Sequence, residues 1–327
     1  ITGWGECVAG EGPFYSPETA LTGWVILKDF ITPMMIGQEV NHPTEIPTLL
    51  KRIRGNEMAK AGFENAVWDL FAKAEGKSLK EMIGGVRDRV AVGVSIGIQP
   101  SVEALLARVG NFVEQGYGRI KIKIKKGLEY DLMSAVRRKF PETSLMADAN
   151  SDYELSDAEL LKRLDPLKLL MIEQPLRYYD IIDHAKLQAQ LESPICLDES
   201  IHRPDDARYA IELNACRIIN MKVGRVGGMT NAITIHDMTQ EAGIQMWCGG
   251  MLETGIGRAT NIALASLPNF VLPGDISATD RYYEHDITRP FVLNKEDSTM
   301  TVPTEPGIGV EVDEERLAAV RLQHFVA

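Results

Sequence analysis

Lys123, Asp148, Glu173, Asp198 and Lys222 follow one another at intervals of 25, 25, 25 and 24 positions. Each closes a short apolar run: RIKIK, SLMAD, LLMIE, PICLD and RIINMK. Three carboxylates between two amines, once gathered, could hold a cation and pass a proton. Carboxylates at one site repel unless a cation compensates them. A donor set of oxygen alone favours a hard ion, Mg²⁺ with Mn²⁺ as the alternative, over Zn²⁺. Three single carboxylates also leave positions for water and for a substrate carboxylate. Two amines facing each other across such a carboxylate suit proton removal at its α-carbon, with the enediolate stabilised by the metal and the opposite ammonium. None of the six histidines ends one of these runs, so a histidine base is not indicated.

A 25-residue period is too long for one helix and too short for a domain. It fits a strand, a helix and two loops, the repeat of a parallel α/β barrel. Equal offsets then place the five side chains at one height, at the C-terminal ends of successive strands. The rhythm starts at Arg89 and predicts eight strands over residues 90–273: 90–98, 119–124, 144–148, 167–173, 194–198, 216–222, 244–248 and 269–273. In the second strand Lys121, Lys123 and Lys125 share one face and Ile120, Ile122 and Ile124 the other. Barrel helices cover the outer face, so the isoleucines belong outside and the lysines inside. Lys121 would then lower the proton affinity of Lys123, the base. Lys222, four strands further round, would face Lys123 across the lumen.

The preceding residues lack this rhythm. Residues 1–30 have a strand-like beginning, and Met58, Ala59, Phe63, Ala66, Val67, Leu70 and Ala74 recur at helical spacing. Residues 1–89 are therefore expected to form an α+β unit, completed by a C-terminal segment of about 291–327 whose residues 291–312 read as extended, beside a barrel over 90–290. The chain has 327 residues, 45% hydrophobic and 25% charged, with a net charge of −11. That charge argues against nucleic acid as a partner, which needs a basic footprint. No apolar run approaches a membrane span, and no leader peptide is visible at ITGWGECVAG. Cys7, Cys196, Cys216 and Cys248 are scattered, as expected of reduced thiols in the cytoplasm.

The motifs KIK (121–123), DAN (148–150), IEQP (172–175), LDES (197–200) and NMKVGR (220–225) resemble the enolase superfamily, muconate-lactonising subgroup. GGMLETGIGR (249–258), ALASLPNF (263–270) and PGDISATDRYY (273–283) are similar to its o-succinylbenzoate synthase and N-succinylamino acid racemase branch. The resemblance runs from about residue 3 to 310. It implies a (β/α)7β TIM-like barrel under an N-terminal α+β capping domain. It also implies Mg²⁺ on Asp148, Glu173 and Asp198, with Lys123 as the base and Lys222 opposite. The implied reaction is dehydration of a cyclohexadiene carboxylate in menaquinone biosynthesis, racemisation of an N-succinylamino acid, or both. A homo-oligomer acting on a small carboxylate is expected.

Softer matches accompany these. Asn150 and Glu199 would orient ligands, although helix capping explains either equally well. Arg225 matches an arginine of the racemase-containing branch, or makes a surface salt bridge. Ser95 is a candidate substrate contact, and Glu253, in the glycine-rich loop after strand seven, fits a substrate contact or a structural role. Two departures stand out. The family usually begins some tens of residues upstream, including a loop that closes over substrate, whereas this sequence opens at ITGWGEC. Lys125-Lys126-Gly127 replaces a common acidic residue and proline before glycine. Within the superfamily, a dipeptide epimerase or a muconate cycloisomerase remains open, although Asp275 and Asp280 lie too far apart for the epimerase's usual DxD pair. A catalytically silent binding protein on the same fold is the alternative from another class.

Overall fold

The computed structural model describes residues 1–327. Helix Glu57–Glu75 organises the N-terminal part and ends at Gly76, whose φ of 67° is the left-handed conformation glycine accepts readily. At its start Asn56 makes no side-chain cap. Glu18, 40 residues upstream, serves instead: its carboxylate accepts the N–H groups of Met58 (3.0 Å) and Ala59 (3.2 Å).

This helix is buried on two sides. Ala59 packs with Ile31, Ile46 and Leu50, and half-buried Phe63 and Val67 lie against that cluster. The deeper face carries Ala61, Gly62, Glu64, Asn65, Trp68 and Asp69, which the apolar spacing did not mark. Part of it meets helix Met229–Ala242, where the Trp68 indole donates to Thr230 Oγ1 at 3.2 Å. Ala74, expected in the stripe, is exposed.

Seven parallel strands follow in chain order: β2 (Val94–Ile96), β3 (Arg119–Lys123), β4 (Ser144–Asp148), β5 (Ile172–Glu173), β6 (Ile195–Leu197), β7 (Ile218–Met221) and β8 (Gln245–Cys248). Ile120, Ile122 and Ile124 join the large core cluster shared with the surrounding helices, as the alternation in RIKIKI requires. A smaller cluster of Met146, Met171, Cys196, Ile218 and Trp247 fills the lumen. The fold is the expected barrel with a cap.

Three elements differ from expectation. The first predicted strand is two: β1 (Arg89–Ala91) pairs antiparallel with β9 (Thr299–Thr301), and only β2 joins the barrel sheet. The break lies around Gly93, where a Cβ would strike the Arg119 guanidinium and main-chain carbonyl. The eighth predicted strand has no regular ladder. Residues 270–275 still close the barrel: Asp275 N–H donates to Cys248 O (2.9 Å) on one side, and Gly93 N–H to Gly274 O (2.7 Å) on the other. Pro273 lacks the N–H that a continuous ladder would need. Finally, residues 1–10 form no strand. They run along helix Glu57–Glu75, so close that a Cβ at Gly5 would collide with the Gly62 carbonyl. No helix is long and apolar enough to cross a membrane.

Candidate active site

Strand register explains why the 25-residue spacing gathers the five residues. Lys123 pairs with Asp148, and Asp148 with Glu173. Glu173 pairs with Cys196, two residues short of Asp198, and Cys196 pairs with Ile218, four short of Lys222. From Lys123 to Lys222 the ladder thus advances four residues over four strand intervals. Tilted strands in an eight-stranded barrel of shear 8 advance about one residue per strand at constant height. Every step is even, so each side chain keeps facing the lumen.

The buried carboxylates are met by cations from below and beside. Lys121 Nζ donates to Glu173 Oε2 at 2.9 Å and lies 2.6 Å from Asp275 Oδ2 and 3.4 Å from Asp148 Oδ2. Arg119 pairs with the other Asp275 oxygen at 2.6 Å. Both cations sit over the Trp247 ring, 5.1 and 5.3 Å from its centroid. Burial opposes the charge on Lys121, but Asp275, Glu173 and Asp148 outweigh it and hold its pKa well above the usual lysine value. The expectation for Lys121 therefore changes: its ammonium is engaged by three carboxylates and serves them first.

Asp198 faces a second group of cations. Lys222 Nζ donates to its Oδ2 at 2.9 Å, and Arg225 donates to its Oδ1. Burial would raise the Asp198 pKa, but Lys222, Arg225 and Lys121 hold it below the ordinary carboxylate range. Arg225 is no surface residue; it is 3% exposed and also donates to the main-chain oxygens of Ile201 (2.7 Å) and Asn220 (2.6 Å). Tyr15, from the N-terminal part, enters this group. Its hydroxyl donates to Asp198 Oδ1 (3.1 Å) and accepts from Lys222 (2.9 Å) and Arg225 (3.0 Å). Nothing in its local sequence marked it, since its partners lie 183 to 210 positions away.

Lys123 is the accessible member of the ring, its side chain 41% exposed. Its ammonium donates to Asn150 Oδ1 and stands 4.0 Å from Asp148 Oδ2. Asn150 in turn donates to Glu199 Oε1 at 3.0 Å, leaving the buried Glu199 Oε2 without a partner. Burial, then Asp198 and Asp148, push the Glu199 pKa up to about 8, and burial with Asp148 raises that of Glu173. Lys123, Asn150 and Glu199 line a cleft of about 620 Å³ together with Phe14, Tyr15 and Tyr178.

Ser95 pairs with Lys121 in the sheet and so shares its lumenal face, while its carbonyl accepts from Arg281 at 3.3 Å. Glu253 is turned into its own loop, accepting from Met251 N–H (2.8 Å) and Asn261 Nδ2 (2.9 Å), which braces that loop on helix Gly255–Ala265.

As the side chains stand, no three Asp, Glu, His or Cys groups converge as metal ligands. Lys121, Lys222 and Arg225 supply part of the compensation that the sequence suggested a metal would provide. The donor chemistry nonetheless fits a hard cation. Asp148, Glu173 and Asp198 are buried carboxylates on adjacent strands, and Glu199 keeps an unpartnered buried oxygen beside them.

Residues 1–84 match the family model for the mandelate racemase / muconate lactonizing enzyme N-terminal domain, and residues 104–316 match the enolase C-terminal domain-like model. The chain belongs to the enolase superfamily. Among its superfamily relatives, the o-succinylbenzoate synthase of Bacillus subtilis is 52% identical over 96% of this chain and 84% of its own length. The N-succinylamino acid racemase of Thermus thermophilus is 48% identical, over 95% and 84%. A crystal structure of an enolase superfamily member from Listeria innocua superposes with a TM-score of 0.93 at 47% identity, covering 97% of this chain and 85% of that one.

Proposed function

We propose that this enolase superfamily enzyme is a Mg²⁺-dependent o-succinylbenzoate synthase, a lyase of menaquinone biosynthesis. The observation that carries the reading is the placement of Lys123 and Lys222 four strands apart at one barrel mouth, flanking Asp148, Glu173 and Asp198. Asp148, Glu173 and Asp198 would hold the metal ion, with Mn²⁺ an acceptable substitute. When bound, that ion supplies positive charge against the substrate carboxylate and so acidifies the neighbouring C–H bond. Lys123, partly exposed at the cleft, takes the α-proton in its neutral form. The departing hydroxyl then accepts that proton and leaves as water, which returns Lys123 to its starting state. Lys222, pinned to Asp198 and Tyr15, stays cationic and stabilises the negative charge that develops on the substrate carboxylate. Its raised pKa agrees with that division: burial would lower it, but Asp198 and Tyr15 outweigh burial.

Racemisation of N-succinylamino acids is a second activity of the same residues, supported by the Thermus relative's name. It would need Lys222 to exchange a proton as well. Dipeptide epimerisation fits less well, because Asp275 is consumed by Arg119 and Lys121 while Asp280 is exposed. The L-Ala-D/L-Glu epimerase of Clostridium acetobutylicum is also only 26% identical over 87% of this chain and 81% of its own length.

Proton NMR in D₂O with Mg²⁺ tests the proposal. The cyclohexadiene carboxylate should be dehydrated and an N-succinylamino acid should gain α-deuterium, with chelation abolishing both. Lys123→Ala should lose both. A variant with unchanged rates would remove Lys123 from the chemistry, and a wild-type protein inert toward both compounds would sink the assignment.

A further inference from the structure

β5 is only two residues long, and the chain turns away at Gln174-Pro175. Gln174 has a φ of 38°, in the left-handed region, and is fully buried. Its main-chain N–H still donates to Cys196 O of β6 at 2.9 Å, in register with the sheet. The next parallel rung would run from Asp198 N–H to the Gln174 main-chain carbonyl. That carbonyl has swung to the opposite side, where it accepts Ser151 N–H at 2.8 Å from the loop after β4. The missing rung is made by the side chain: Gln174 Oε1 accepts the N–H groups of Asp198 (2.9 Å) and Ser200 (3.2 Å).

The other end of the amide is equally engaged. Nε2 donates to Ser200 Oγ (2.6 Å) and to the carbonyls of Arg177 (3.2 Å) and Leu176 (3.3 Å). Ser200 Oγ spends its own hydrogen on Asp180 O at 2.9 Å, so it can only accept from the amide. Two backbone N–H groups on one end and acceptors on the other leave one orientation of the amide possible. The amide accepts from two N–H groups and donates from its other end without carrying charge, as an ionised carboxylate in its place could not.

We infer that Gln174 is the positioning residue of the three-carboxylate site, one side chain and one peptide joining the strand ends that carry Asp148, Glu173 and Asp198. The Glu173 carbonyl accepts Ala149 N–H at 3.0 Å, so β4 is tied to β5 on both sides of the turn. Removing the amide frees the Asp198 end of β6 from β5 at the point where the ladder stops. The inference rests on the reading of these carboxylates as a cation site, and the two can fail separately.

The test is Mn²⁺ binding to substrate-free protein, followed by electron paramagnetic resonance, with Gln174→Asn and Gln174→Leu. Asn keeps the amide on a side chain one methylene shorter, and Leu removes it. Both variants should bind Mn²⁺ about tenfold or more weakly, about 1.4 kcal/mol or more, and lose kcat at saturating substrate and metal. A purely structural residue would lower the melting temperature and leave the Kd of the folded protein unchanged; that result in either folded variant overturns the inference. Hydrogen exchange on the wild-type protein needs no variant: the Asp198 and Ser200 amides should be protected, and exchange at loop rates would overturn it as well. Absence of Mn²⁺ binding to the wild type, with those amides protected, would sink the metal reading and leave the clamp.

Discussion

Asp198 and Lys123 belong to the same ring but live in opposite environments, and substitution should separate them. Asp198 is 1% exposed and balances Lys222 and Arg225. Replacing it with Asn leaves two buried cations without their counter-ion, which typically costs about 3–5 kcal/mol. Lys123 is partly solvated, and the buried carboxylate nearest it, Asp148 at 4.0 Å, keeps Lys121 at 3.4 Å when Lys123 is removed, so Lys123→Ala should cost less than about 1 kcal/mol. Denaturant titration should therefore rank Asp198→Asn far below Lys123→Ala in stability, although both variants lose turnover. Equal midpoints would mean that the Asp198 cluster is not held as described. At this scale the sequence was informative where charge and spacing coincide, as at the five strand ends. It was silent on Tyr15, whose contacts cross more than half the chain, and on Gln174, an uncharged residue whose role depends on a backbone turn. It left Glu253 open between two roles, because a carboxylate in a glycine-rich loop reads alike whether it faces substrate or its own main chain.

The repeat was legible as alternating strands and helices because each strand ends in a charge that interrupts an apolar run. Its irregular staves were not: Pro273 breaks the eighth ladder, and the polar interior around Arg119 splits the first strand at Gly93. Helix Ile182–Gln188 illustrates a further element-level device. Its His184 Nε2 accepts Leu176 N–H at 3.1 Å, and Nδ1 donates to Asp180 O at 2.7 Å, fixing the loop that follows β5. The ring must be neutral to accept, and burial pushes its pKa down to about 4, against a smaller opposing effect of the Asp180 carbonyl. The unfolded chain has the ordinary value near 6.5. Between those values the unfolded state binds the extra proton, so this contribution is complete above about pH 6.5 and is lost as pH falls through about 4. The span corresponds to about 3 kcal/mol. Denaturation midpoints of wild type and His184→Gln, compared at pH 7 and pH 5, should converge at the lower pH. A gap that persists would show that His184 is already charged in the native protein.

Across the whole molecule, buried and half-buried carboxylates of the N-terminal part fasten it to the barrel and to the C-terminal segment. Glu6 accepts Thr254 N–H (3.0 Å) and Gly257 N–H (2.9 Å) at the start of helix Gly255–Ala265. Glu64 accepts Thr230 N–H (3.1 Å) at the start of helix Met229–Ala242. Both use helix N-termini, where unpaired N–H groups and the helix dipole welcome negative charge. Asp69 joins three segments at once: Oδ2 accepts Trp4 N–H at 2.7 Å and the Lys73 ammonium at 2.6 Å, and Oδ1 accepts Ile308 N–H at 2.7 Å. Tyr15 reaches Asp198 from this stretch, whose other end Glu18 tethers to helix Glu57–Glu75. Asp69→Ala removes a fully buried acceptor of two main-chain N–H groups and should cost about 3–5 kcal/mol, since each bond is to a charged group and each donor is left unpaired. Hydrogen exchange should locate the loss: the Trp4 and Ile308 amides should exchange faster, while the lumenal amides of β3 and β4 keep their protection. Acceleration spread evenly over the barrel would mean that the two parts unfold as one unit, and that Tyr15 is held in place by the fold as a whole instead of by this clasp.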